Sequence, residues 1–124
     1  MDKLKFINEQ MGVIAVPYEF GQWSSEVKYP YFVGEVTEEP IMTEDGAEES
    51  TLLLTGWTRG NFIELEVEKA KIKTHFHPIY GLRGSTDSGA IAVFFDSAFS
   101  VPSGEADLKK IQINLKIKEW KGAM

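Results

Sequence analysis

The chain has 124 residues, a net charge of −6 from 13 basic and 19 acidic side chains, and no cysteine. Disulfides, thiolate metal sites and cysteine nucleophiles are therefore excluded. The acidic balance disfavours wrapping around nucleic acid, whose affinity comes from basic side chains neutralising phosphates, while 43% hydrophobic and 12% aromatic residues suit a packed core.

The length predicts one domain over residues 1–124. No apolar run approaches the roughly 18 residues needed to span a bilayer. The start, Met1-Asp2-Lys3-Leu4-Lys5, lacks the apolar stretch of a secretory signal, so the expectation is a cytoplasmic origin.

Asp2 to Met11 reads as a short helix, with Leu4, Ile7 and Met11 on one face beside Phe6 and Gly12 as its terminator. Val13 to Phe20 reads as a strand interrupted by Pro17, and Gly21 to Lys28 as a polar turn carrying Trp23. A second strand opens at Tyr29-Pro30-Tyr31-Phe32-Val33 and is expected to stop before Pro40. Glu35 to Glu49 is strongly acidic, with Glu44, Asp45, Glu48 and Glu49 around an Asp45-Gly46 hairpin signal. Such a run is ordinarily a solvated hairpin tip. Its functional alternative is a negative protrusion facing DNA or a basic partner.

Ser50 to Thr58 has strand composition. Phe62 to Phe76 favours a helix. Asn61 can cap it, Glu64 completes a capping-box pattern, and Glu64, Glu66 and Glu68 precede Lys69, Lys71 and Lys73 in the order a helix dipole prefers. Pro78 to Gly89 reads as loop, Ala90 to Phe95 as a strand covered on both faces, and Ala98 to Ala106 as loop. The clearest pattern comes last. From Asp107 to Trp120, Ile111, Ile113, Leu115 and Ile117 alternate with Gln112, Asn114, Lys116 and Lys118, the period of a strand with one face in the core and one wetted. Val13–Phe20, Tyr31–Val36 and Ala90–Phe95 are its candidate partners. The fold class is α+β, a mixed or antiparallel sheet of about four to six strands with one or two helices.

Few residues suggest chemistry. His75 and His77 form a His-x-His that could bind a metal ion if Asp87 or Asp96 supplied a third ligand. Near a helix end, the same imidazoles can simply satisfy the last carbonyls. Ser85 to Gly89 lacks the glycine spacing of a nucleophile elbow, and Gly81 to Gly84 lacks the lysine of a phosphate loop. Trp57 reads as core. Trp23 and Trp120 are candidate contact anchors, since aromatics concentrate at interface centres.

The order of elements resembles the tail terminator or tail completion (minor tail) proteins of long-tailed phages and prophages. The resemblance rests on a short N-terminal helix, a strand, the Lys28-Tyr29-Pro30-Tyr31-Phe32-Val33 entry to the second strand, Thr51-Leu52-Leu53-Leu54, a helix over Phe62 to His75 and a closing strand ending near Trp120. It implies a non-enzymatic virion protein without cofactor, located in the tail or neck and assembled in the host cytoplasm. Such proteins form a ring, often of six subunits, that ends tail-tube polymerisation and joins the head connector. DNA passes through the lumen without specific binding. Trp23, Glu44, Asp45, Glu48, Glu49 and Trp120 become candidate contact residues in that setting. The alternatives are a small metal-dependent enzyme centred on His75 and His77, another head–tail connector, or a protein-binding module.

Overall fold

The computed structural model describes residues 2–21, 26–42 and 46–121. Along the described chain run α1 (Asp2–Val13), β1 (Tyr18–Phe20), β2 (Tyr31–Met42), β3 (Glu48–Thr58), α2 (Phe62–His75), β4 (Leu82–Thr86), β5 (Gly89–Val101) and β6 (Lys109–Lys121). One six-stranded sheet has the order β1-β2-β3-β6-β5-β4. Only β1 and β2 pair in parallel, so the sheet is mixed and the class is α+β.

The alternating run becomes the strand its period demands. As β6 it lies inside the sheet, paired with β3 from Glu48↔Glu119 to Thr58↔Lys109 and with β5 from Gly89↔Lys121 to Val101↔Lys110. Its aliphatic set Ile111, Ile113, Leu115 and Ile117 is buried against Leu52 and Leu54 of β3 and Ile91, Val93 and Phe95 of β5. Phe6, Ile7 and Met11 of α1 close the core from above, with Leu65 and Ile72 of α2 and Phe76 just after it. Fully burying one such side chain stabilises by about 1.5–3 kcal/mol. Two glycines permit close packing. A Cβ at Gly56 would strike the Phe32 ring, and one at Gly84 would strike Phe6.

Several expectations need correction. Only Tyr18–Phe20 of the expected first strand pairs, because Val13 ends α1 and the amides of Ile14, Ala15 and Val16 are bonded back to carbonyls of its last turns. That helix runs through Gly12, and Ala15 takes the left-handed conformation at φ 57°. The Val16 amide donates to the Met11 carbonyl and the Ala15 amide to Gly12, which closes the helix without a glycine at the left-handed position. β2 runs on to Met42 through Pro40, with a register shift between Glu38 and Met42. Beyond Gly34 the outer side of β2 has no paired strand among the described residues, and there a proline costs no ladder bond.

The expected loop from Pro78 contains β4, a short strand hairpinned to β5 across Thr86↔Gly89. The strand expected to end at Phe95 continues to Val101 beyond a bulge between Phe95 and Ser97. β3, absent from the candidate partners of β6, is one of its two neighbours, whereas Val13–Phe20 and Tyr31–Val36 are not. Asn61 caps α2, its side chain accepting from the Ile63 amide at 2.9 Å. Glu64 bonds the Thr58 hydroxyl at 2.7 Å, tying α2 to β3. The helix charges pair three apart, as Glu66–Lys69 and Glu68–Lys71.

One buried charge joins the N-terminal helix to the sheet. Lys3 Nζ lies 2.5 Å from Glu38 and 3.5 Å from Glu119, with the Lys3 and Glu119 side chains only 7% and 8% exposed. Replacing one member of a buried pair leaves the other as an uncompensated charge. Lys3→Met is therefore expected to lower unfolding stability by about 3 kcal/mol, and adding Glu119→Leu to recover most of it. Denaturant melts of the single and double variants check this.

Tyr18 gives a second prediction. Its hydroxyl is buried without a hydrogen-bond partner among the described residues, and burial pushes its pKa up to about 12 from 10.0. The fold thus keeps the phenol neutral, while the unfolded chain ionises it above pH 10. Stability falls from pH 10 to 12 on that account by about 2 kcal/mol, and is unaffected by this group below pH 10. Tyr18→Phe is expected to abolish that part of the alkaline loss and to gain up to about 1 kcal/mol at pH 7. Urea melts across pH 7–12 read both effects.

Candidate interaction surface

Both helices pack on one face of the sheet, and among the described residues no layer covers the opposite face. Parity decides what it carries. Leu53, Thr55 and Trp57 of β3 and Lys110, Gln112, Asn114, Lys116, Lys118 and Trp120 of β6 all alternate with core residues and are all half-buried. Phe94 on β5 is half-buried and Phe99 exposed, while Ala92 is fully buried among its neighbours on the same face. The apolar run Ala90 to Phe95 is thus covered by helices on one face only. Its other face is shielded by lateral neighbours, which corrects the expectation of two covering layers.

One end of this face is an aromatic and cationic cluster. Tyr31 and Trp57 face one another across β2 and β3 and stack with ring centroids 5.1 Å apart. Tyr29 leans on Tyr31 at 5.6 Å. Lys110 Nζ, on the adjacent strand, stands 5.9 Å from the Trp57 ring centroid, and the Arg59 guanidinium 5.8 Å from that of Tyr29, both cation–π distances. Arg59 also donates to the Tyr29 hydroxyl at 3.3 Å and to Glu105 and Asp107 at 3.0 Å each. These bonds, Tyr29's first, hold its pKa above the ordinary arginine range. Burial, then the neighbouring Tyr29, raises the Tyr31 pKa. The cluster joins the entry to β2, the β3–α2 turn and the β5–β6 loop.

The expected contact residues divide. Trp23, Glu44 and Asp45 lie outside the described residues. Trp120 is half-buried opposite Ala90 at the far end of the uncovered face. Glu49 is on the same face, 3.8 Å from Lys118, and Glu48 is exposed. Trp57, expected in the core, belongs to this surface. Tyr29, Tyr31, Arg59 and Lys110 were missed as a group because their proximity depends on strand pairing. Tyr31 and Trp57 are 26 positions apart in sequence and directly opposite in register.

The two histidines are engaged in separate hydrogen bonds. His75 ends α2 and its Nε2 lies 2.8 Å from Gln10 Oε1 of α1. Burial lowers its pKa, favouring the neutral ring. The His77 Nδ1 accepts from the amides of Ile79 and Tyr80 at 3.1 Å each, and its ring stacks on Tyr80. Among the described residues no three side chains of His, Asp or Glu are grouped to hold an ion. The Ser85 to Gly89 stretch forms the end of β4 and its turn into β5. Open depressions lie between the helices near Val67 and His75, about 610 Å³, and beside the Ser100–Lys110 loop, about 550 Å³. Among the described residues no helix is long and apolar enough to cross a membrane.

No protein-family model matches the chain, and no curated protein matches it at a significant level.

The histidine geometry makes a direct prediction. Titrating zinc into the purified protein is expected to give no stoichiometric binding, with the same heat from a His77→Ala variant. One equivalent bound by the wild type and lost in the variant would contradict the assignment of His77 to the turn.

Proposed function

We propose that the protein is a non-enzymatic assembly subunit working through its uncovered sheet face, in the role its resemblance to tail terminators implies. In this reading it forms a ring, of six copies in the usual case, at the end of a phage tail tube. It stops tube polymerisation and presents a surface to the head connector, with DNA passing through the lumen without specific binding. Its place is the tail or neck of the virion, reached from the host cytoplasm.

The observation that supports this reading is the composition of the uncovered face. Trp57, Trp120, Tyr31 and Phe94 sit among lysines and short polar side chains on rigid, paired strands. Aromatic anchors inside a polar surround are the composition of protein–protein interfaces. Several charged groups from different elements are engaged with each other: Lys3 with Glu38 and Glu119, Arg59 with Glu105 and Asp107, Glu49 with Lys118. Those pairs hold elements together, which suits a scaffold part.

Deleting the gene from a phage or prophage that carries it is expected to yield separate heads and tails, the tails over-long in electron micrographs. Normal joined particles from the deletion strain would overturn the proposal. Tail-tube, tape-measure and head genes beside it would agree with the same reading.

A further inference from the structure

We propose that, before assembly, the uncovered face is covered by the same face of a second copy, related by a two-fold axis lying in the interface along the β3–β6 boundary. The inference goes beyond the ring reading and stands on the charge pattern, area and register of the face.

The charges on this face are segregated by strand. Carboxylates occupy one half: Glu19 on β1, Glu35 on β2 and Glu49 on β3. Cations occupy the other: Lys110, Lys116 and Lys118 on β6 and Arg83 on β4. Apart from Asp96 at the β5 bulge, no charge on the described strands of this face crosses the boundary. Such a face repels a copy turned onto it about an axis perpendicular to the strands, since like halves would then meet. It attracts a copy turned about an axis parallel to the strands between β3 and β6. That rotation lays β3 over β6 and β2 over β5 of the second copy, carboxylate half on cation half, and an isologous contact closes at two subunits.

The same rotation keeps each residue at its own level along the strands. Glu49 then faces Lys118 of the second copy, since the two share a level in the β3–β6 register, and Trp57 faces Lys110 of the second copy. Leu53, Thr51 and Thr55 meet the row Asn114, Lys116 and Gln112. The strands of the two sheets lie near-aligned, as stacked sheets prefer, about 10 Å apart.

The area is sufficient. Four long strands, β2, β3, β6 and β5, spaced ~4.8 Å apart and used over ~11 residues at ~3.4 Å each, present roughly 700 Å² per copy. Specific complexes typically bury about 800 Å² on each partner. Charge complementarity of this kind chiefly fixes register and partner choice, while Trp57, Phe94 and Leu53 supply apolar area.

Sedimentation equilibrium of the full chain tests this. The wild type, 14.0 kDa as a monomer, is expected to sediment at twice that mass at ~100 μM and to dissociate more readily as salt rises. Lys116→Glu alone and Glu35→Lys alone are each expected to weaken the dimer at least about tenfold. Over Thr51, Lys116 of the second copy is the diagonal neighbour of Glu35, which pairs with Leu53. The combined Lys116→Glu/Glu35→Lys variant therefore restores opposite signs across the interface and is expected to return within about threefold of wild type. Val67→Glu, on the helix side, is expected to change nothing. Thermal melts of each variant confirm that the monomer is folded. A wild type that stays monomeric at ~100 μM, a dimer indifferent to Lys116→Glu, a dimer lost with Val67→Glu, or a double variant no better than the singles would each overturn the pairing. So would a larger ring that persists in Lys116→Glu. None of these results decides the ring reading, which the gene deletion tests separately.

Discussion

The structure depends on one interior strand whose two faces face different worlds. Because β6 lies between β3 and β5, every aliphatic residue of its alternating set meets a partner on both sides and a helix above. A one-residue slip of that strand would turn Ile111, Ile113, Leu115 and Ile117 outward and bring four polar side chains inward, so its register is strongly specified. The helices can occupy only the aliphatic side. The polar side of the same strand, with Lys110, Lys116 and Lys118, is therefore left at the surface as a consequence of packing the core. Fold and candidate interface follow from the same alternation.

The rest of the molecule fixes the helices against this sheet. α1 packs against both edge strands, β1 and β4, so the sheet curls around it. Lys3 ties its first turn to β2 and β6, Phe6 rests on Gly84 of β4, and Gln10 meets His75 of α2. α2 is fixed at its start by the Asn61 cap and the Glu64–Thr58 bond, and beyond its end by buried Phe76, whose carbonyl accepts from the Phe95 amide. These ties are local, short and mostly polar, while the sealed apolar layer between them supplies the bulk of the stabilisation.

How much was legible in the sequence follows from what each signal depends on. The period-2 pattern of β6 and the capped, charge-ordered α2 were readable because both are local: alternation and capping need only neighbouring residues. β4 was hidden since Leu82-Arg83-Gly84-Ser85-Thr86 is rich in turn formers and becomes a strand only by pairing with β5. The length of β5 was underestimated because its bulge at Phe95–Ser97 breaks the alternation that Phe99 and Val101 resume. Ala15 in the left-handed conformation defeated the rule that placed the helix end at Gly12. The surface cluster was the least legible part. Tyr29, Tyr31, Trp57, Arg59 and Lys110 come from three separate stretches, and only register brings them together.

In the proposed role, the side of the sheet away from the helices is where this protein meets a partner. Lysine footprinting measures it most directly: amine acetylation at dilute and concentrated protein, read residue by residue in a mass spectrometer. Lys110, Lys116 and Lys118 are expected to become protected on concentration while Lys5, Lys69 and Lys73 continue to react. Protection of the helix lysines with Lys116 still fully reactive would contradict it.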